Sequence, residues 1–113
     1  MAYCRFSDMN FKCDLYIYEN IYGGITVHVK SRRIIGEVPP LPRWDDPDAG
    51  EKIKKWSEFF DNVKYEPIGL PYDGETFYED LSTIIPRVEM LINEGYRAPK
   101  TLLKDIADDI QER

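Results

Sequence analysis

Few of the residue types that most often carry chemistry occur in this sequence. It has one histidine, His28, and two cysteines, Cys4 and Cys13. A catalytic triad would need that histidine, yet neither a Gly-x-Ser-x-Gly elbow nor a nucleophilic cysteine context accompanies it. No Gly-x-x-x-x-Gly-Lys loop and no Gly-x-Gly-x-x-Gly turn is present, so nucleotide binding has no recognised phosphate cradle. The apolar runs are too short to span a membrane. Residues 1–11 contain Arg5 and Asp8 but no apolar stretch of signal-peptide type, so the expected compartment is the cytosol. Without a secretory signal, Cys4 and Cys13 read as reduced core or strand residues rather than as a disulfide.

What is present suffices for one folded core. Hydrophobic residues make up 42% and aromatics 13% of 113 residues, too much for a disordered chain and enough for a single water-soluble domain. The charge is uneven. Residues 1–43 hold 6 basic and 4 acidic side chains, a net +2, whereas residues 44–113 hold 9 basic and 17 acidic, a net −8. At −6 overall the protein repels phosphate backbones at long range, which disfavours direct nucleic-acid binding and favours a basic partner.

The clearest local pattern is a β-hairpin. Cys13, Leu15 and Ile17 alternate with Asp14, Tyr16 and Tyr18; Ile25, Val27 and Val29 alternate with Thr26, His28 and Lys30; residues 20–24 between them have turn chemistry. Matching the apolar faces sets Ile17 opposite Val27 and Leu15 opposite Val29. Tyr16 then faces His28, Tyr18 faces Thr26, and Asp14 faces Lys30 as an ion pair. Since two strands alone are marginal, either residues 2–6 or Ile34 and Ile35 should add a third.

Pro39, Pro40, Pro42 and Pro47 mark an irregular arm over residues 37–46. Three helices are expected after it. The first runs from Pro47 or Asp48 to about Asn62, with Ile53, Trp56, Phe59 and Phe60 on one stripe, and an extended link over residues 63–70 follows. The second starts at a capping-box pattern, Thr76-Phe77-Tyr78-Glu79, is kinked or split at Pro86, and ends at Gly95. The third has Pro99 near its start and buries Leu102, Leu103, Ile106 and Ile110. The expected fold is α+β: one domain over residues 1–113, an N-terminal antiparallel hairpin in a two- or three-stranded sheet packed against about three helices. Its hairpin region is 1–36, its proline arm 37–46 and its helical region 47–113.

Each candidate motif has a plainer alternative. Cys4, Cys13 and His28 are zinc-ligand types, but alternation puts Cys13 and His28 on opposite faces and a fourth ligand is missing. Asp45, Asp46 and Asp48, with Gly50 and Glu51, miss EF-hand spacing and read as carboxylates at a helix start. Asp105, Asp108 and Asp109 read as a solvated helix face. No catalytic residue, metal or cofactor is expected. Two features stand above background: Tyr16, Tyr18, Tyr22 and His28 on or beside the polar face of the hairpin, and Lys30, Arg32 and Arg33 at its exit, a basic spot able to seat a carboxylate or phosphate.

The opening Met1-Ala2-Tyr3-Cys4-Arg5-Phe6-Ser7, the run Asn10-Phe11-Lys12-Cys13-Asp14-Leu15-Tyr16-Ile17-Tyr18-Glu19, and the later Pro67-Ile68-Gly69-Leu70-Pro71-Tyr72-Asp73-Gly74-Glu75-Thr76-Phe77 and Glu94-Gly95-Tyr96 together resemble small proteins of tailed bacteriophages and prophages. The resemblance brings no functional residues with it. It implies a setting: a small acidic protein in a bacterial host cytoplasm, acting as an inhibitor or adaptor of host or phage proteins, with a CRISPR or other defence complex as one target. The reading is therefore a protein-binding module without enzymatic activity, engaging its partner through the hairpin's aromatic face or through an acidic face (Asp45, Asp46, Asp48, Asp105, Asp108, Asp109) that imitates nucleic acid. The alternatives are a nucleic-acid accessory protein using the basic and aromatic hairpin patch, and a small enzyme with an unfamiliar site. A homodimer through an exposed hairpin edge is a further expectation.

Overall fold

The computed structural model describes residues 2–40, 43 and 45–112. Pro42 of the expected arm lies outside the described residues. The fold is mixed α+β, with a four-stranded antiparallel sheet, a two-stranded ribbon and four helical segments.

The hairpin forms with the expected register. Strands β2 (Leu15–Glu19) and β3 (Ile25–Val29) pair Leu15 with Val29, Tyr16 with His28, Ile17 with Val27 and Tyr18 with Thr26. Asn20 closes the loop, its side-chain oxygen accepting from the amides of Tyr22 (3.0 Å) and Gly24 (3.1 Å), and Gly23 supplies the positive φ. The third strand comes from the N-terminus: β1 (Ala2–Cys4) pairs with β2 across a bulge. A fourth, β6 (Thr76–Glu79), pairs with β3, giving the order β1-β2-β3-β6.

That fourth strand corrects the helix expected from Thr76. Thr-Phe-Tyr-Glu satisfies a capping box, but it is also a β-branched and aromatic run, and β3 had a row of unpaired amides and carbonyls to fill. The helix begins later, after Asp80, whose carboxylate accepts from the amides of Ser82 (2.8 Å) and Thr83 (3.1 Å) while Thr83 Oγ1 accepts from the Asp80 amide (3.1 Å). The Ser82 hydroxyl, which also donates to this carboxylate, and then the Ser82 amide hold the Asp80 carboxyl below its ordinary range. Helix α3 (Ile84–Glu94) thus has Pro86 in its first turn, where an amide would be unpaired anyway, so the expected kink does not arise. Gly95 ends it at φ 113°, as expected.

Helix α4 (Leu102–Glu112) follows, with Leu102 and Ile106 buried and Leu103 and Ile110 against the core. The inner sheet face (Leu15, Ile17, Ile25, Val27, Val29) closes on Ile84, Val88 and Leu91 of α3 and on α4, with Tyr96 and both cysteines in the same cluster. The cysteines are free thiols that donate to one carbonyl, that of Leu15, at 3.3 and 3.2 Å. The neighbouring Cys13 thiol, then burial, pushes the Cys4 thiol up, and the neighbouring Cys4 lowers Cys13.

Residues 31–67 leave this core and return to it. Strands β4 (Arg32–Ile34) and β5 (Tyr65–Pro67) form the ribbon that carries the excursion, and α2 (Ala49–Asp61) lies in the chain between them. No residue of α2 is fully buried; Trp56, Phe59 and Phe60 are half-buried and Ile53 is 51% exposed. The excursion is gripped by α1 (Asp8–Phe11), a single turn in which Met9, Asn10 and Phe11 all have left-handed φ. Each such residue costs about 1–2 kcal/mol, and the contacts they make are the compensation. Asn10 Nδ2 donates to the Val38 carbonyl at 2.7 Å, Phe11 meets Phe60 with ring centroids 5.1 Å apart, and Lys12 pairs with Glu37 at 3.0 Å.

Candidate functional site

An antiparallel sheet with one face on a core ordinarily shows water a polar opposite face. Here that face is aromatic. Alternation turns Tyr16, Tyr18, Thr26, His28, Thr76 and Tyr78 away from the core, in two rungs: Tyr18, Thr26 and Tyr78, then Tyr16, His28 and Thr76. Phe6, just past β1, joins at the side.

The rings touch in series. Phe6 lies 5.7 Å from Tyr16, Tyr16 is edge-on to Tyr18 at 5.3 Å, and Tyr18 stacks on His28 at 5.6 Å. Both His28 nitrogens have hydroxyl partners, Nε2 with Tyr18 at 3.2 Å and Nδ1 with Thr76 at 3.0 Å. Thr26 is buried in its rung, accepting from Asn20 Nδ2 at 3.3 Å. The face is therefore pre-organised, its rings held by one another. At its rim Tyr78 is 79% exposed, and at the hairpin tip Ile21 and Tyr22 are 92% and 90% exposed.

The basic spot at the hairpin exit is divided. Arg33 does seat a carboxylate, that of Asp14, through Nη2 at 2.6 Å and Nε at 3.2 Å. That hydrogen bond raises the guanidinium above its ordinary range. The expected Asp14–Lys30 ion pair is thereby corrected: the two are joined by backbone, Lys30 N to Asp14 O at 2.8 Å, while the fully buried Asp14 carboxylate turns to Arg33, to Arg97 Nε at 3.5 Å and to the Arg97 amide at 2.7 Å. Arg97 lies 83 residues away in sequence, beyond the reach of strand pairing rules.

Lys30 and Arg32 remain. With Phe6, His28, Tyr65 and Thr76 they line a cleft of about 360 Å³ between the outer face and the ribbon. The Lys30 ammonium sits 5.7 Å from the centre of the Phe6 ring and donates to the Phe11 carbonyl at 3.3 Å; Arg32 lies over Tyr65 at 4.2 Å. A smaller cavity of about 260 Å³ lies between α1 and the arm, with Lys12, Glu37 and Arg97 on its wall.

The acidic residues expected to form one face are partly engaged. Asp46 pairs with Lys52, whose hydrogen bond holds its carboxyl below the ordinary range, and Asp109 accepts from the Tyr3 hydroxyl. Asp45, Asp48, Asp105 and Asp108 are exposed. Among the described residues no three His, Cys, Asp or Glu side chains are grouped to hold a metal ion. No described helix is long and apolar enough to cross a membrane. The hairpin has no free edge for self-pairing, since β1 and β6 flank it.

Tyr16, Tyr18 and His28 were legible as a shared face from alternation alone, and Tyr22 as its tip. Phe6, Thr76, Tyr78 and Tyr65 were not placed there. The signal for Thr76 and Tyr78 was present in the alternation of residues 76–79. No protein-family model, curated protein or solved structure matches the chain.

Proposed function

We propose that this chain is a protein-binding module that docks its outer sheet face on a partner protein, and that in its phage-type setting the partner belongs to a host defence complex that the module blocks. The observation that carries this reading is the uncovered, ring-lined face itself. Tyr16, Tyr18 and His28 are fixed by their neighbours, so they lose little freedom on binding, and tyrosine gives large contact area with a polar end. Exposed Tyr78 and Tyr22 are positioned as anchors. Phage origin rests on the sequence resemblance, and the acidic net charge favours a basic rim on the partner.

The acidic face is the weaker surface for docking, because Asp46 and Asp109 already hold internal partners. Capture from bacterial lysate with Tyr18→Ala and Tyr78→Ala variants separates the two surfaces. A stoichiometric partner held by the parent protein should weaken by roughly tenfold or more for each variant, in line with losing an aromatic anchor. Binding that both variants keep, and that Asp105→Asn with Asp108→Asn removes, would overturn the sheet-face reading in favour of nucleic-acid mimicry.

A further inference from the structure

We propose that the cleft between the outer sheet face and the β4–β5 ribbon is a binding site for a single nucleotide, with its phosphate between Lys30 and Arg32 and its base against the aromatic wall of Phe6 and Tyr65. This goes beyond the docking role: the cleft shares Phe6, His28 and Thr76 with the outer face and adds Lys30, Arg32 and Tyr65.

The protein carries −6, yet no Asp or Glu lines this cleft. Among the described residues neither Lys30 nor Arg32 has a carboxylate at ion-pair distance, whereas Arg33, a neighbour in sequence, is paired with Asp14 and also donates to the Gly95 carbonyl. Two cations thus line one cleft whose wall holds no carboxylate. Burial holds the Lys30 ammonium below its ordinary range, against the opposing pull of Asp14, and an anion beside it would relieve that cost.

Shape and rings narrow the ligand class. Each cation already lies over an aromatic face, Lys30 near Phe6 and Arg32 on Tyr65, so a base beside the bound anion has the ring edges and the outer plane of the exposed Arg32 guanidinium at hand on which to pack. The His28 ring and the Thr76 hydroxyl, hydrogen-bonded to each other, add polar atoms to the wall. A cleft of about 360 Å³ is at the small end of ligand sites and holds one nucleotide rather than a peptide segment. No glycine-rich loop is needed when two side chains hold the phosphate. Long-range repulsion by a −6 protein works against a polynucleotide but little against one phosphate, so the free mononucleotide is the favoured source.

The test is calorimetric titration with AMP, with adenosine and inorganic phosphate as half-ligands and a short single-stranded oligonucleotide as the polymeric arm. AMP should bind, each half-ligand roughly tenfold or more weakly, and Arg32→Glu and Lys30→Met should each weaken AMP by at least about tenfold. Arg32 is exposed, so its reversal leaves the fold intact by circular dichroism. Tyr78→Ala, which removes a docking anchor outside the cleft, should leave AMP binding unchanged; this separates failure of the site from failure of the docking face. No AMP binding, or binding indifferent to both cleft variants, would overturn the site. Oligonucleotide binding tighter than AMP with steep salt dependence would overturn the free nucleotide in favour of a strand.

Discussion

Asp14 stands opposite Lys30 in the hairpin, yet its carboxylate is fully buried between Arg33 and Arg97, and this pairing ties the hairpin, the ribbon and the segment after α3 at one point. Removing it strands two cations whose guanidinium groups lie at the edge of the core. Asp14→Ala should therefore cost about 3 kcal/mol by urea unfolding, the lower part of the range for a broken buried pair because both arginines are partly exposed. A loss near zero would mean the cluster is replaceable. Tyr96 makes a different junction, donating to Asp73 at 2.9 Å and accepting from the Tyr72 amide at 2.7 Å. Burial, then the bond to Asp73, pushes its hydroxyl up from 10 to about 12. A raised folded value means this contribution is complete below pH 10 and is lost as pH rises through about 12. The stability difference between the parent and Tyr96→Phe should accordingly be constant below pH 10 and shrink toward pH 12; a constant difference across that range would contradict the assignment. Neither junction was legible in the sequence, because the partners are far apart along the chain and tertiary packing selects them.

At the scale of elements, what sequence pattern revealed depended on how local the cause is. The β2–β3 register was readable because two alternating runs and one turn constrain each other, and only one pairing buries both apolar faces. The C-terminal end of α3 at its glycine cap and the apolar side of α4 were readable because their causes are equally local. Strand β6 was not, since residues 76–79 suit either a helix start or a strand and the open edge of β3 decided between them. The pattern of α2 marks an amphipathic helix, as expected, in a fold expected to pack its sheet against about three helices. It instead rests at the periphery, with Trp56 and Phe60 rings 4.5 Å apart and Phe11 as the contact from the core side. With no fully buried residue in α2, its amides should exchange with solvent through low-energy local opening, well before those of β2 and β3, which should require global unfolding. Native-state hydrogen exchange that ranks α2 with the central strands would contradict the excursion as described.

The whole molecule is more extended than its length requires. Its radius of gyration is 16.2 Å, against about 13 Å for a compact chain of this size, and residues 31–67 run outside the main core. That geometry opens a cleft between ribbon and sheet and leaves the outer sheet face uncovered. The candidate site was half legible: Tyr16, Tyr18, Tyr22, His28, Lys30 and Arg32 were placed at the hairpin and its exit, whereas Phe6, Tyr65, Thr76 and Tyr78 join them through tertiary packing and long-range pairing. The central claim, that the outer face is the docking surface, is most directly tested by tyrosine nitration of the free protein and of its complex with a captured partner, read residue by residue by mass spectrometry. Tyr78 and Tyr22 should react in the free protein and be protected in the complex, while Tyr65, 40% exposed on the ribbon, keeps reacting. A complex in which Tyr78 reacts at its free rate would contradict the account.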